Sequence, residues 1–345
     1  MSYRINDRYD VKSPFGAGGM GSLFLAQDTT LRKLVAIKVL GANLDSGDLR
    51  VRFRREALTL AKLNHPNIVT ISDFGEFQNK PYIVMDYIRG ETLSEKIKRR
   101  EPLTIPKKLQ MMRELGAGLA HVHEEGIIHR DIKPANLIID QHGFLKILDF
   151  GIARVAEGNK TLIGAPVTQI NMQIGTPGYM SPEQIEGGVL DGRSDVFAAG
   201  VVFYELLSLR APFSGGSTHE IEVKVLQADP PPLRSLVADL DPAIVSVVAQ
   251  ALERDRDKRP TAKEFEEAVA YLVSRLPASH TPLPTRVTPT PTPSTGRAAH
   301  RSAAETAYQR ARTAEHDGAP GAAHRFLLEA LAEDPRHAGA RALLE

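Results

Sequence analysis

The stretch "IIHRDIKPANLIID", Ile127 to Asp140, sets His, Arg, Asp, Lys and Asn between two isoleucine-rich runs. Apolar runs of this length predict buried strands. A charge buried between them costs several kcal/mol unless it is paired with an opposite charge or serves a functional site. One interpretation is a loop between two core strands whose charges face water. The other is a site in which a carboxylate, an amine and an amide are held on a rigid loop.

The composition is that of an ordinary globular protein. Hydrophobic residues make up 42% and charged residues 25% of the 345 positions, and a net charge of +1 gives no reason to expect binding to nucleic acid or to an anionic membrane. The absence of cysteine excludes disulfides, thiolate zinc sites and cysteine nucleophiles. The start, "MSYRINDRYDV", lacks an apolar secretory core, and the longest apolar runs are too short for a membrane helix. We therefore expect a soluble, cytoplasmic protein with neither nucleic acid nor membrane as a partner.

The chain divides into three regions. Residues 9–276 have globular composition, whereas residues 277–296, "PASHTPLPTRVTPTPTPSTG", carry six prolines and six threonines. Such a segment buries little apolar surface and favours polyproline II, which predicts a linker. Residues 297–345 are rich in alanine and helical in pattern.

Within the globular region, strand patterns come first and helical patterns follow. The runs "RYDVKSPF", "SLFLAQD" and "KLVAIKVL" are predicted strands, as are "NIVTISDFGEF" and "PYIVMDYI" after the helical "DLRVRFRREALTLAKL". Beyond Gly90 helices dominate, and one is predicted to begin with Thr104 as its cap and Pro106 in its first turn. The pattern predicts an α+β fold in which a small sheet-rich lobe precedes a large helical lobe, with a cleft between them.

A glycine-rich segment and a lysine lie among the first predicted strands. "FGAGGMGSL" contains Gly16, Gly18, Gly19 and Gly21, and glycines there let backbone N–H groups approach phosphate oxygens. A glycine-rich hairpin with no ligand is an alternative, and the strand that follows argues against a dinucleotide site of the Rossmann type. Lys38 ends "LVAIK", where it either serves a site or extends its amine into solvent from a sheet edge.

Three more polar residues stand at places that favour a site. Glu56 follows Lys38 by eighteen residues on the predicted helix, where it could equally be an exposed acid among arginines. Asp149 ends the apolar run of "KILDFGIAR", and Asn136 lies thirteen residues before it. Because Mg²⁺ prefers hard oxygen ligands, an acid and an amide at one strand edge could hold this cation.

These signals together resemble one family. From about Tyr9 to Leu272 the chain resembles a eukaryotic-type protein kinase domain, in particular the serine/threonine (Hanks-type) kinases of bacteria. The motifs occur in the family's order: "GAGGMGSL", "VAIK", Glu56, "HRDIKPAN", "DFG", "GTPGYMSPE", "SDVFAAGVV" and "KRP". The resemblance implies a bilobal kinase domain over residues 9–276, with an N-lobe at about 9–88 and a C-lobe at about 89–276. It also implies ATP and Mg²⁺ as cofactors and proteins with Ser or Thr as substrates.

The resemblance assigns roles to the catalytic residues. Asp131 would accept the substrate hydroxyl proton, and Lys133 would neutralise charge on the transferring phosphoryl group. Lys38, paired with Glu56, would hold the α- and β-phosphates of ATP. The two metal ligands would be Asn136 and Asp149. Lys133 and "GTPGYMSPE" are typical of the serine/threonine branch, since tyrosine kinases usually lack this lysine.

Further residues follow from the same resemblance. Ala36 and Ile138 would cover the adenine, Met85 would be the gatekeeper, and the hinge would run from Asp86 to Ile88. The implied nucleotide-binding residues are Phe15, Gly16, Ala17, Gly18, Gly19, Met20, Gly21, Ser22, Leu23, Ala36, Lys38, Met85, Asp86, Tyr87, Ile88 and Ile138. Residues implied to give structural support are Arg130, Thr176, Glu183, Asp195 and Arg259.

A switch is also implied, because kinases with an arginine before the catalytic aspartate are commonly activated by phosphorylation of the activation segment. Arg130 occupies that position and can pair with a phosphate in two hydrogen bonds. Thr168 is the preferred phosphorylation candidate and Thr161 the second. The enzyme would thus phosphorylate its own activation segment and act in signalling.

The C-terminal region resembles a tetratricopeptide unit. Small or turn residues fall at Ala311, Gly318, Ala323, Ala330 and Pro335, with a period of 34 residues, two helices and the start of a third. An alanine-rich helical hairpin of no family is the alternative. Since one unit cannot bury its own apolar face well, we expect it to pack on the kinase domain, on a second copy or on further repeats, and to serve as a site for a protein partner or for self-association.

The motifs quoted above leave two functional classes open. The first is an active serine/threonine kinase with an interaction tail, and the second is a kinase-shaped scaffold without turnover. The scaffold would usually lack one member of the set Lys38, Glu56, Asp131, Asn136 and Asp149. This chain has all five.

Overall fold

The N-terminal strands are antiparallel neighbours along the chain. The structure is a computed structural model that describes residues 4–18, 21–41, 47–149, 176–276 and 296–316, and positions 323, 326, 327, 329, 330, 334 and 337–343. β1 (Arg4–Ile5), β2 (Tyr9–Gly18), β3 (Gly21–Asp28) and β4 (Lys33–Leu40) follow one another in the sheet. Val35 and Ile37 lie on one face of β4 and are fully buried, and Ala36 between them is buried as well.

Asp28 fixes the turn that follows β3. Its buried carboxylate accepts hydrogen bonds from Arg8 Nη2 at 2.7 Å and from the backbone N–H groups of Thr30 and Leu31. The Arg8 hydrogen bond is the main reason why the pKa of Asp28 lies below its usual range. The pair therefore ties the start of β2 to the end of β3.

The next elements are a helix and a hairpin. α1 (Gly47–Leu60) packs on β5 (Ile71–Phe77) through an edge-on contact of Phe53 with Phe74, and β5 pairs with β6 (Lys80–Asp86). The strand predicted over residues 67–77 begins only at Ile71. Residues 67–69 bond elsewhere, because the N–H of Val69 donates to the carbonyl of Ile147 and the N–H of Ile147 to that of Asn67.

Helices dominate beyond residue 90, as predicted. A small antiparallel sheet of β7 (Gly90–Thr92), β8 (Leu137–Asp140) and β9 (Leu145–Ile147) accompanies α2 (Leu93–Lys98) and α3 (Ile105–Glu124). Thr104 caps α3 by accepting from the N–H of Lys107, and Pro106 lies in its first turn, as predicted. The remaining helices here are α4 (Pro182–Glu186), α5 (Gly192–Ser208), α6 (Thr218–Gln227), α7 (Leu233–Leu236), α8 (Pro242–Ala251) and α9 (Ala262–Ser274).

The centre of this helical part is α5. From Ser194 to Tyr204 every residue of α5 is buried, which is typical of a helix surrounded by others. α3, α8 and α9 pack against it. The strands come first and the helices follow, which is the α+β order that the sequence predicts.

The C-terminal region has its own small core. α10 (Gly296–His316) places Ala307 and Ala311 against the helical positions Phe326 and Leu327, and α11 (Ala338–Ala342) adds Ala340. The ring of His337 lies 4.9 Å from that of Tyr308. Most of the predicted linker, residues 277–295, lies outside the described residues, as do Gly318 and Pro335.

Among the described residues, none of the helices combines the length and the apolar character needed to cross a membrane.

Candidate active site

Asp131 is held from two sides on the loop between α3 and β8. Lys133 Nζ lies 2.9 Å from one carboxylate oxygen of Asp131, and the amide nitrogen of Asn136 donates to the same oxygen at 2.9 Å. That amide also donates to the backbone carbonyl of Asp131 at 2.7 Å. The carboxylate, amine and amide of the opening stretch are therefore in contact, and a short 3-10 turn, Pro134–Asn136, sets their spacing.

The backbone before Asp131 is braced by a buried acid on α5. Asp195 accepts the N–H of His129 at 2.8 Å and that of Arg130 at 2.7 Å, one with each carboxylate oxygen. Arg130 has a φ of 65°, in the left-handed region that costs a non-glycine residue about 1 to 2 kcal/mol. The two hydrogen bonds hold this conformation and with it the position of Asp131.

His129 connects the loop to the end of β9. Burial lowers the pKa of His129, so the ring is neutral. One ring nitrogen accepts the N–H of Asp131 at 3.3 Å, and the other donates to the carbonyl of Leu148 at 2.8 Å. Leu148 directly precedes Asp149. His129 therefore hydrogen-bonds both to the backbone of the predicted base, Asp131, and to the residue before the predicted metal ligand Asp149.

The two predicted metal ligands suit a hard cation. The N–H of Leu148 donates to the carbonyl of Asn136 at 2.8 Å, which places Asn136 beside the backbone that leads into Asp149. Because the amide nitrogen of Asn136 faces Asp131, its amide oxygen is the atom that can face a cation. An amide oxygen and a carboxylate are ligands that Mg²⁺ accepts, usually with water and phosphate oxygens completing the shell.

Glu56 is half-buried on α1, and its surroundings shift the pKa of its carboxyl group. Burial raises its pKa to about 7, and the positive charge of Arg130 acts in the opposite direction. Lys38 lies on β4 with its side chain half-buried. The pairing of Lys38 with Glu56 stays a prediction.

The glycine-rich segment is a β-hairpin. Gly16 pairs with Leu23, Ala17 with Ser22 and Gly18 with Gly21 across β2 and β3. Gly21 has a φ of 136°, which an L side chain rarely adopts. Gly19 and Met20, two predicted nucleotide-binding residues, lie outside the described residues, whereas Phe15 and Ser22 lie on the paired strands.

The residues predicted to meet adenine are apolar and largely buried. Ala36 is buried on β4, and Met85 and Ile138 are buried on β6 and β8. Asp86 ends β6, where its N–H donates to the carbonyl of Thr70, and Tyr87 and Ile88 follow as an irregular half-buried segment. Their contacts with adenine stay a prediction.

Glu183 and Arg259 form a buried ion pair. The two terminal nitrogens of the Arg259 guanidinium donate to the Glu183 carboxylate at 2.8 and 2.6 Å. Ser194 Oγ donates to the same carboxylate at 2.6 Å. The other N–H groups of Arg259 donate to backbone carbonyls of residues 193, 253 and 254. Burial alone would raise the pKa of Glu183, but these hydrogen bonds outweigh burial and hold it below its usual range.

Of the three threonines with predicted roles, the structure describes only Thr176. Thr176 is exposed and precedes the turn Pro177–Tyr179, and its implied role in structural support stays a prediction. Thr161 and Thr168 lie outside the described residues.

Comparison with known proteins identifies the family. The family model described as protein kinase domain matches residues 9–269. The chain belongs to the protein kinase family. Its sheet-then-helix order is the kinase fold, and the domain is of the serine/threonine class, as the relatives named below indicate.

The similar relatives are bacterial kinases. The chain is 39% identical over 277 residues to the serine/threonine-protein kinase PrkC of Bacillus subtilis, covering 79% of this chain and 42% of that protein. It is 40% identical over 271 residues to the serine/threonine-protein kinase PknB of Mycobacterium tuberculosis, covering 76% and 42%. It is also 40% identical over 267 residues to PknB of Mycolicibacterium smegmatis, again covering 76% and 42%. The chain thus spans about two fifths of the length of these relatives.

Two side chains in this kinase domain escaped the sequence reasoning. His123 Nε2 lies 2.9 Å from the brace Asp195, and Tyr179 donates its hydroxyl to Glu205 of α5 at 2.5 Å. His123 belongs to none of the quoted motifs, and Tyr179 lies within "GTPGYMSPE" without an assigned role. The only signal was position: His123 ends an amphipathic helix, and Glu205 is an acid inside an otherwise apolar run.

Proposed function

We propose that this kinase domain transfers the γ-phosphate of ATP to serine and threonine hydroxyls of proteins. The observation that supports this best is the Asp131 carboxylate, held by Lys133 and Asn136 on a braced loop. Phosphoryl transfer requires little covalent chemistry and much positioning, so a rigid base beside an amine suits it.

Each side chain then has a separate task. Asp131 orients the substrate hydroxyl and accepts its proton as the oxygen attacks the γ-phosphorus. Lys133 offsets negative charge on the phosphoryl oxygens during transfer. Lys38, paired with Glu56, holds the α- and β-phosphates. Asn136 and Asp149 would hold Mg²⁺, which when bound offsets the negative charge of the phosphates.

The glycine-rich hairpin and the apolar residues bind the nucleotide in this proposal. Backbone N–H groups of residues 16–23 would approach the phosphates, because glycine leaves them uncovered. Ala36 and Ile138 would enclose adenine, and the segment from Asp86 to Ile88 would bond its edge. A cytoplasmic location and a role in signalling stay predictions.

The activity is tested by Asp131→Asn. This change keeps the shape of the side chain but replaces one acceptor oxygen with an NH2 group and removes the ability to accept a proton. Transfer of labelled γ-phosphate to a generic Ser/Thr protein should fall below detection, while ATP binding measured by calorimetry persists. Asp239→Asn, an exposed acid, is the matched control. ATP binding without transfer by the wild type would favour a scaffold, and full transfer by Asp131→Asn would show that Asp131 is not the base.

We propose further that the enzyme phosphorylates its own Thr168 and that the phosphate pairs with Arg130. A phosphate opposite a guanidinium forms charge-assisted hydrogen bonds that stabilise the competent state. Mass spectrometry after incubation with ATP should show phosphate on Thr168, and Thr168→Ala should lower kcat several-fold, whereas Thr161→Ala should not. Full activity of a protein that carries no phosphate on Thr168 would contradict the switch.

A further inference from the structure

Two histidines stack where the segment between α1 and β5 packs on α3. The ring centroids of His65 and His121 are 5.2 Å apart, and the ring planes are inclined by 22°. Both residues are partly buried. His65 also closes a turn, because its Nδ1 accepts the backbone N–H of Asn67 at 3.2 Å. This hydrogen bond requires a lone pair on Nδ1, so the ring that makes it is the neutral form with its proton on Nε2.

The residues that follow His65 are attached to β9. Asn67 is buried, its side-chain amide donates to a backbone carbonyl of β9 at 2.8 Å, and its own carbonyl accepts the N–H of Ile147 at 2.8 Å. The N–H of Val69 donates to the carbonyl of Ile147 at 3.0 Å. Because β9 ends two residues before Asp149, these bonds hold one side of the strand that leads into a predicted metal ligand.

Positive charges face His65 from both elements on which its segment packs. His121 lies on α3, and Lys146 lies on β9, where its Nζ donates to the carbonyl of Pro66 at 2.6 Å. Burial lowers the pKa of His65, and the charges of His121 and Lys146 lower it further. Protonation would also turn Nδ1 into a donor that opposes the N–H of Asn67. The packed segment therefore disfavours the proton that an exposed histidine accepts at about pH 6.5.

We propose that the histidine pair, His65 with His121, makes an acid-sensitive contact: the neutral rings keep residues 65–69 on α3 and β9, and protonation of His65 releases them. The released segment binds the proton with an ordinary histidine pKa, and the packed segment binds it less readily. The stability of the contact is therefore complete above about pH 6.5 and is lost as the pH falls through the lower pKa of the packed state. Release frees one side of the strand before Asp149, so phosphoryl transfer should slow in acid. This effect on transfer rests on the proposed function, whereas the contact itself does not.

The contact is tested directly by amide hydrogen exchange of the full chain between pH 5 and pH 7.5. After correction for the intrinsic exchange rate, protection of the N–H groups of Val69 and Ile147 should fall by up to about tenfold per pH unit below about pH 6.5. In NMR spectra the imidazole signal of His65 should titrate at lower pH than that of His219, which is exposed on α6. Protection that does not change with pH, or a His65 signal that titrates together with that of His219, would overturn the inference.

The matched variant is His65→Asn. Asparagine does not titrate in this range, and its amide oxygen can accept the N–H two residues on, as it does in turns. This variant should keep the protection of Val69 and Ile147 at pH 7.5 and lose its dependence on pH. A His65→Asn protein that retains the pH dependence of the wild type would show that another group controls the contact.

The effect on transfer is measured as the ratio of the kcat of His65→Asn to that of the wild type. The ratio should be near one at pH 7.5 and rise several-fold at pH 5.5, whereas the same ratio for the control His219→Asn should stay near one. Glu56 titrates in every one of these proteins, so its effect cancels from the ratio. A ratio of one for His65→Asn at pH 5.5 would overturn the control of transfer. A wild type without transfer at pH 7.5 would overturn the proposed function, while the exchange data would still decide on the contact.

Discussion

Glu56 is a carboxyl group whose titration lies near neutral pH. Burial raises its pKa from 4.5 to about 7, so the folded protein binds a proton here that the unfolded chain releases. Its contribution to stability is therefore complete below pH 4.5 and is lost as the pH rises through about 7. The proposed pair with Lys38 needs the opposite state, since only ionised Glu56 attracts the ammonium group.

We predict that kcat/KM for ATP rises as the pH increases through about 7. Glu56→Gln should lower kcat/KM above about pH 7, have little effect below it, where wild-type Glu56 is protonated, and remove this part of the profile, because the amide cannot ionise. Steady-state kinetics from pH 6 to pH 8.5 measures both proteins. A profile that Glu56→Gln leaves unchanged would show that another group is responsible.

Single residues were predictable where a motif sets their chemistry. Asp131, Lys133 and Asn136 were placed together by one quoted stretch, and the structure shows them in contact. His123 was not, because its partner Asp195 is 72 residues away and only the packing of α3 on α5 brings the two together. Long-range polar contacts of this kind leave no periodic trace in a single sequence.

At the scale of elements, the ion pair of Glu183 with Arg259 joins the start of α4 to the segment before α9. The side chain of Arg259 is 0% exposed and that of Glu183 is 12% exposed. Removing one partner of a buried pair leaves an uncompensated charge, which typically costs about 3 to 5 kcal/mol.

We predict that Arg259→Ala lowers the free energy of unfolding by an amount of this order. Arg254→Ala is the control, because its guanidinium lies 3.9 Å from the Glu186 carboxylate and both side chains are more than half exposed. Exposed pairs contribute about 0 to 1 kcal/mol. Urea unfolding followed by circular dichroism measures both changes, and equal losses would contradict the role assigned to the buried pair.

Elements were predictable where the apolar period was regular. Thr104 and Pro106 mark the start of α3 by cap chemistry, and the short run rich in β-branched residues, "KLVAIKVL", marks β4. The start of β5 was placed too early because Ile68 and Val69 look like strand residues but pair with β9 instead of the hairpin. Propensity alone does not tell which partner an apolar residue will take.

At the scale of the whole chain, the described C-terminal helices form a small apolar cluster of their own. Ala307, Ala311, Phe326, Leu327, Ala330 and Ala340 make up this cluster. The composition of residues 277–296 favours a flexible tether, which transmits little mechanical constraint. The tetratricopeptide-like character of the tail and its binding of a partner or a second copy are proposals.

We predict that deletion of residues 297–345 leaves turnover of a generic Ser/Thr peptide within about twofold, because the catalytic residues and their braces all precede the linker. The deletion should instead abolish self-association or partner binding, measured by light scattering of the purified protein and by binding assays.

Gly339→Val is a subtler form of the same test. A Cβ at Gly339 would lie 2.6 Å from the ring of Tyr308, so a bulkier side chain should displace α11 from α10 while the chain keeps its length. It should reproduce the binding defect without affecting peptide turnover, and Ala342→Val, at an exposed position of the same helix, should have no effect. A collapse of peptide kinase activity on deletion would contradict the independence of the two regions and would indicate that the tail supports the kinase domain directly.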